Sequence, residues 1–251
     1  MRSLESRKYR HLHIYPLLGL LFFVHIFVSS ISVFSSSFVN ETYPLFRLLD
    51  GYFMIQLIFS PVLFSSLVKK VVEIEEKDNM FLYQEILGIE PSALLLKKWS
   101  WLNLRLLLLQ IVEWAVLIMM ASRSSRFSPT DIMSLRILIE FAGQWLITAA
   151  FVALFLILET RSKSPYFTLF FSMAGTLTGI ISMLTSLVLT LMNPFAWIIS
   201  LMNISYVQQS GKFESVLNPT PFVTPFIAII GLVICLFIIK NHTLIRYDKT
   251  F

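Results

Sequence analysis

The sequence predicts an all-α, polytopic membrane protein of six spans forming a single membrane domain over residues 1–251, and three observations predict it. The chain is 56% hydrophobic, with a mean hydropathy of +0.75, against about 45 to 50% apolar in soluble domains. Only 14% of its residues are charged, where soluble domains carry about 25%. The charges are also bunched, leaving uncharged stretches of about 18 to 25 residues, enough to cross a hydrocarbon core roughly 30 Å thick. A soluble globular enzyme is thereby excluded. The net charge of +5 comes without an Arg/Lys-rich run that could track phosphates, so the excess reads as membrane topology rather than nucleic-acid binding. The single cysteine, Cys235, excludes an internal disulfide and a Cys-based metal cluster.

The first span, 14–34, follows Arg2, Arg7, Lys8 and Arg10. It is longer than a signal-peptide apolar core of about 7 to 15 residues and lacks an Ala-x-Ala-like exit, so it reads as a retained helix. His11 and His13 belong to its basic flank. The second span, 51–68, stops at Lys69 and Lys70 and contains Pro61, which predicts a kink. The third, 99–121, is interrupted by Arg105 and Glu113, and the fourth, 137–158, contains Glu140. Ser128, Pro129 and Asp131 read as N-cap, first helical residue and a dipole-favoured acid, so that helix is expected to start early. Residues 164–211 carry no formal charge. As one helix they would extend about 72 Å, beyond any bilayer, so the chain must break. Asn193-Pro194 is the natural place. That leaves a fifth span over 166–192 and a piece, 195–208, too short to cross, which reads as re-entrant or interfacial. The sixth span, 222–239, follows Pro219 and Pro221 and ends at Lys240.

Lys and Arg should concentrate in cytoplasmic segments. With six spans and both termini inside, the cytoplasmic side holds the four N-terminal cations, Lys69, Lys70, Lys77, Lys97, Lys98, Arg161, Lys163, Lys240, Arg246 and Lys249. The outside holds Arg47, Arg123, Arg126, Arg136 and Lys212. A seventh span at 195–208 weakens this bias, so both termini are expected in the cytoplasm. The 23 Phe against 8 Gly fit an AT-rich bacterial genome, and the expected location is a bacterial cell membrane.

The polar segment between spans two and three has a helix written into it. Glu73, Glu75, Glu76 and Asp78 crowd its start, where a helix favours negative charge, while Gly88 and Pro91 supply the stop. A helix over about 73–87 is expected. Met80 and Phe81 lie on its apolar surface, with Glu76, Lys77, Asp78, Asn79 and Gln84 among its polar positions. Such a helix is either a solvated connector or a docking element for a cytoplasmic partner.

Six spans, this acidic-start helix and the broken segment before span six together resemble the permease subunits of type-two ABC exporters. In that family the loop reads as an acidic residue, Lys and Asn, an aromatic, then a Leu-rich turn and Pro. The matching residues here are Glu76, Lys77, Asp78, Asn79, Met80 and Phe81, then Ile86, Leu87, Gly88, Ile89, Glu90 and Pro91. The resemblance implies a coupling helix resting in a cleft of an ATP-binding cassette subunit. It implies partner coupling through Glu73, Glu75, Glu76, Lys77, Asp78, Asn79, Met80, Phe81 and Gln84. It also implies a second permease subunit, identical or similar. Length and layout most resemble the permeases of lantibiotic-immunity exporters, which remove amphipathic antimicrobial peptides from the producing cell's membrane. The alternatives are a permease for a drug, lipid or glycan, and a membrane scaffold or sensor subunit without transport.

The chain has no Gly-x-x-x-x-Gly-Lys-Ser/Thr loop, so ATP and Mg are expected on the partner subunit, with no cofactor and no catalytic residue here. No His-Glu-x-x-His pair, Gly-x-Ser-x-Gly elbow or Cys/His ligand set occurs either. Inside the spans the informative residues are Gln110, Glu113, Glu140 and Gln144, with His25, Gln56 and Arg105 beside them. A central ionised side chain costs roughly 2.5 to 3.5 kcal/mol on insertion scales, so such residues face the bundle interior and find partners. Depth counting places Glu113 and Gln144 within reach of one another. The four either fix helix packing or line a translocation path. Arg105, near the inner end, is expected to snorkel.

Overall fold

Each of the six expected spans contains a helix long and apolar enough to cross a membrane. The structure, a computed structural model, describes residues 14–76, 86–162, 164, 166–209 and 212–241. Its helices are α1 (Ile14–Ser30), α2 (Pro44–Glu76), α3 (Pro91–Ala121), α4 (Pro129–Ile132), α5 (Leu135–Arg161), α6 (Phe167–Thr185), α7 (Leu187–Met192) and α8 (Val223–Lys240). Six of them, α1, α2, α3, α5, α6 and α8, are long and apolar enough to cross a membrane. Their outward faces carry Phe23, Phe27, Phe170, Leu177 and Phe237, each more than half exposed, a surface suited to hydrocarbon and unsuited to water.

The most buried helices are α2 and α5. Helix α2 packs against α1, α3, α5 and α6, and α5 lies along α8. Tyr52, Phe53, Leu57 and Leu67 of α2 and Phe155 and Leu156 of α5 are almost wholly enclosed. The helix continues on both sides of Pro61; the missing N–H frees the Leu57 carbonyl from its usual partner.

The element ends differ from the sequence expectation, each for a local reason. Nothing in the sequence stops a helix at Lys69-Lys70, because charge ends a bilayer crossing without ending a helix. Accordingly α2 runs on through Glu73 and Glu75 to Glu76, which extend the second span instead of opening a separate helix. The rest of the expected coupling helix, Lys77, Asp78, Asn79, Met80, Phe81 and Gln84 included, lies outside the described residues. Gly88 takes φ 77°, the left-handed conformation that suits glycine at a chain reversal. Pro91 then opens α3 two turns earlier than expected, where its lost N–H costs nothing. The start read at Ser128 and Pro129 yields only the one-turn α4; Ser134 is the cap of α5, its hydroxyl accepting from the Ile137 amide at 3.4 Å.

The expected fifth span breaks at Ser186, which is extended and caps α7 through the Leu189 amide. Helix α7 doubles back on α6: Asn193 Nδ2 donates to Ser182 Oγ at 3.0 Å, and Thr190 Oγ1 donates to the Ser182 carbonyl at 3.1 Å. A 3-10 segment, Pro194–Leu201, follows. It is seated by shape. A Cβ on Gly175 would stand 2.3 Å from the Phe195 ring, and one on Gly231 2.8 Å from the Trp197 ring. The glycines are what let α6 and α8 approach those rings.

Residues 195–208 divide between this segment and a strand, and among the described residues a single hairpin joins an otherwise all-helical architecture. Strand β1 (Ile204–Gln209) pairs antiparallel with β2 (Lys212–Leu217), Ile204 opposite Leu217.

Candidate functional site

Intramembrane polar groups have no water to satisfy them, so each must find a partner within the bundle. Glu113 lies eight residues, about 12 Å, from the α3 end at Ala121; Tyr52 is as far into α2 from Pro44, and Gln144 about 13 Å into α5. All three are at least 97% enclosed. They meet. The Tyr52 hydroxyl donates to Glu113 Oε2 at 2.5 Å and accepts from Gln144 Nε2 at 2.7 Å. Trp114 Nε1 donates to Gln144 Oε1 at 2.6 Å. On the other side, His25 Nδ1 donates to Glu113 Oε1 at 2.9 Å, and its Nε2 meets Ser60 Oγ at 3.0 Å.

Four helices, α1, α2, α3 and α5, thus contribute to one cluster centred on the Glu113 carboxylate. An indole N–H can only donate, which fixes the Gln144 amide with its oxygen toward Trp114 and its nitrogen toward Tyr52. Every hydrogen from Trp114 through Gln144 and Tyr52 therefore points toward Glu113. The His25 and Tyr52 rings add an edge-on contact at 5.6 Å. Two small voids, each about 10 Å³, adjoin the cluster and share Gln56, Phe64 and Thr148. Each is about the size of one water.

A second cluster sits toward the β-hairpin end. Glu140 Oε1 accepts from Arg136 Nε at 2.9 Å, and its Oε2 accepts from Asn203 Nδ2 at 3.2 Å. Arg136 also donates to Asn203 Oδ1 and, at 2.8 Å, to the Asn218 carbonyl. Asp50 receives the backbone N–H groups of Asn203 and Ile204 at 2.6 and 2.8 Å. This cluster fastens the base of the hairpin to α2 and α5.

The structure brings Glu113 and Gln144 together through Tyr52, and it separates Glu140 from them although Glu140 and Gln144 stand one helical turn apart. Gln110 joins neither cluster through the bond it makes: its Nε2 donates to the Phe141 carbonyl at 2.8 Å, tying α3 to α5. The Arg105 guanidinium lies over the Trp101 and Tyr15 rings, at 5.5 and 6.0 Å. Sequence reasoning missed Tyr52, Ser60, Asp50 and Asn203 as partners. Asp50 carried a signal, being an acid one residue outside a predicted span; the uncharged three carried none.

At the opposite end of the bundle, Lys98 is 1% exposed and donates to the Val71 carbonyl at 2.9 Å, joining α3 to α2. Trp99 Nε1 donates to the Ala149 carbonyl at 3.0 Å and joins α3 to α5. No group of three or more His, Cys, Asp or Glu suited to a metal ion occurs among the described residues. No protein-family model, curated protein or solved structure matches the chain.

Proposed function

We propose that the chain is the membrane-spanning permease subunit of an ATP-driven exporter, with ATP and Mg held by a separate cassette subunit. The cargo in this reading is an amphipathic antimicrobial peptide expelled from the cell's own membrane. The observation that carries the reading is the shared overrun of α2 and α3. At 33 and 31 residues they extend about 50 and 46 Å, against a core of roughly 30 Å. Each continues six residues past its interfacial lysines, α2 beyond Lys70 to Glu76 and α3 back from Lys97 to Pro91. The acidic link carrying Phe81 joins the two extensions, and Lys98 clasps them together. Push on that link and two spanning helices move.

In this reading the Glu76/Pro91 end faces the cytoplasm and the hairpin end faces out. The Pro194–Leu201 segment is re-entrant, since its Phe195 packs on Gly175, about 12 Å along α6. A peptide does not fit voids of about 10 Å³, so export requires a second arrangement of the helices that the Glu113 cluster now joins, together with a second permease subunit. A scaffold or sensor role is the second reading, favoured by the complete mutual pairing of Trp114, Gln144, Tyr52 and Glu113.

Phe81→Asp tests the docking role. In cells carrying the chain and its cassette partner, tolerance of a cationic amphipathic peptide should fall to that of cells lacking the chain, with the membrane-inserted amount unchanged. Undiminished tolerance would remove Phe81 from the coupling path.

A further inference from the structure

Beneath Pro194, between α5, α8 and the 3-10 segment, lies a cavity of about 180 Å³, far larger than the voids beside the Glu113 cluster. Ala150, Phe151 and Trp197 form its buried floor, and Pro194 and Ile234 stand exposed at its mouth. Gly231 presents no side chain on this side, so the Trp197 ring rests against the α8 backbone at the cavity wall. None of its lining residues is charged, and almost all of the surface they present is carbon. Gly231 and Cys235 stand about 12 and 18 Å along α8, whose whole length is about 27 Å. The cavity therefore lies in the middle of the hydrocarbon layer.

We infer that this cavity holds an acyl chain of a bilayer phospholipid. Three arguments select that occupant. A water needs two to four polar partners, and the wall offers none; carbon-lined cavities of about 150 Å³ stay dry and take up apolar molecules. The mouth is continuous with the α8 surface formed by Ile230, Val233 and Phe237, all exposed and apolar, which is the helix's hydrocarbon-facing side. The absence of a cation in the lining gives a lipid phosphate nothing to bind, so the tail enters and the headgroup stays at the interface. The site is independent of the proposed export activity.

The test uses the full chain in vesicles of phosphatidylcholine and phosphatidylglycerol doped with a phospholipid carrying a diazirine midway along one acyl chain. After illumination, peptide mass spectrometry should find Trp197 and Cys235 labelled several-fold above Leu177 and Phe170, which face the bilayer on α6. Cys235→Phe, which places a ring in the cavity from its rim, should reduce Trp197 labelling to the α6 level without altering the α6 labels. Ala150→Leu should do the same from the floor, and the α6 labels and elution volume report whether either variant has kept its fold. Trp197 labelling no higher than Leu177, or unchanged in both folded variants, would overturn the inference. So would an oxidised Cys235–Cys235 dimer lacking lipid label at Trp197, which would assign the mouth to a second copy.

Discussion

At the scale of single residues, Glu113 concentrates the cost and the order of the bundle. Its two oxygens take one hydrogen each from His25 and Tyr52, and removing them leaves both donors buried without their acceptor. Glu113→Ala should lower stability by about 3 kcal/mol, the scale for leaving buried hydrogen-bond donors unsatisfied, read as a lower thermal midpoint in detergent. Glu113→Gln is different. Its oxygen still accepts from Tyr52, while its NH2 donates to His25 Nδ1, whose Nε2 then donates to Ser60. All contacts survive with one tautomer exchanged, so the loss should be near 0.6 kcal/mol, a typical interhelical hydrogen bond in a membrane. A Gln variant as damaged as the Ala variant would refute this directional scheme. In Glu113→Gln combined with Glu140→Gln, a changed cargo range would favour a path through the clusters; lost stability alone would favour packing.

At the scale of elements, the small residues of α6 show how local sequence signals can mislead. Gly175-Thr176-Leu177-Thr178-Gly179 has the small-xxx-small spacing that draws transmembrane helices together, yet both glycines face Phe195 of the same chain. Gly175→Ala should drive a methyl into the Phe195 ring and cost about 1 to 3 kcal/mol, as overpacking does. Phe195→Leu added to it should recover most of the loss; absence of recovery in the double variant's thermal unfolding would place the clash elsewhere. The hairpin was missed for a related reason. Ile204–Gln209 and Lys212–Leu217 flank Ser210-Gly211 with β-branched and aromatic residues, a hairpin signature, but one that hydropathy alone does not separate from a short apolar helix. Its attachment through Asn203 and Arg136 joins residues more than sixty positions apart and leaves no local trace.

At the scale of the whole molecule, orientation is open to direct measurement. In a Cys235→Ser background, Ser125→Cys should react with a membrane-impermeant maleimide in intact cells, and Glu90→Cys only after permeabilisation; the opposite pattern would invert the bundle. The six spans were legible because intramembrane charge is costly enough to leave its mark on composition. Their ends were less so, since a helix does not stop where a charge does: α2 continues past Lys69 and Lys70 to Glu76. The meeting of Glu113 with Gln144 followed from depth alone, whereas Tyr52, between them, reads in any hydropathy scale as one more aromatic. That tyrosine brings a further consequence. With its hydrogens all aimed one way, the row from Trp114 to Glu113 behaves like the tumblers of a lock: turning α2, α3 or α5 by itself misaligns a donor. A turn of any one of these helices is therefore felt by the other two for as long as the row stays intact.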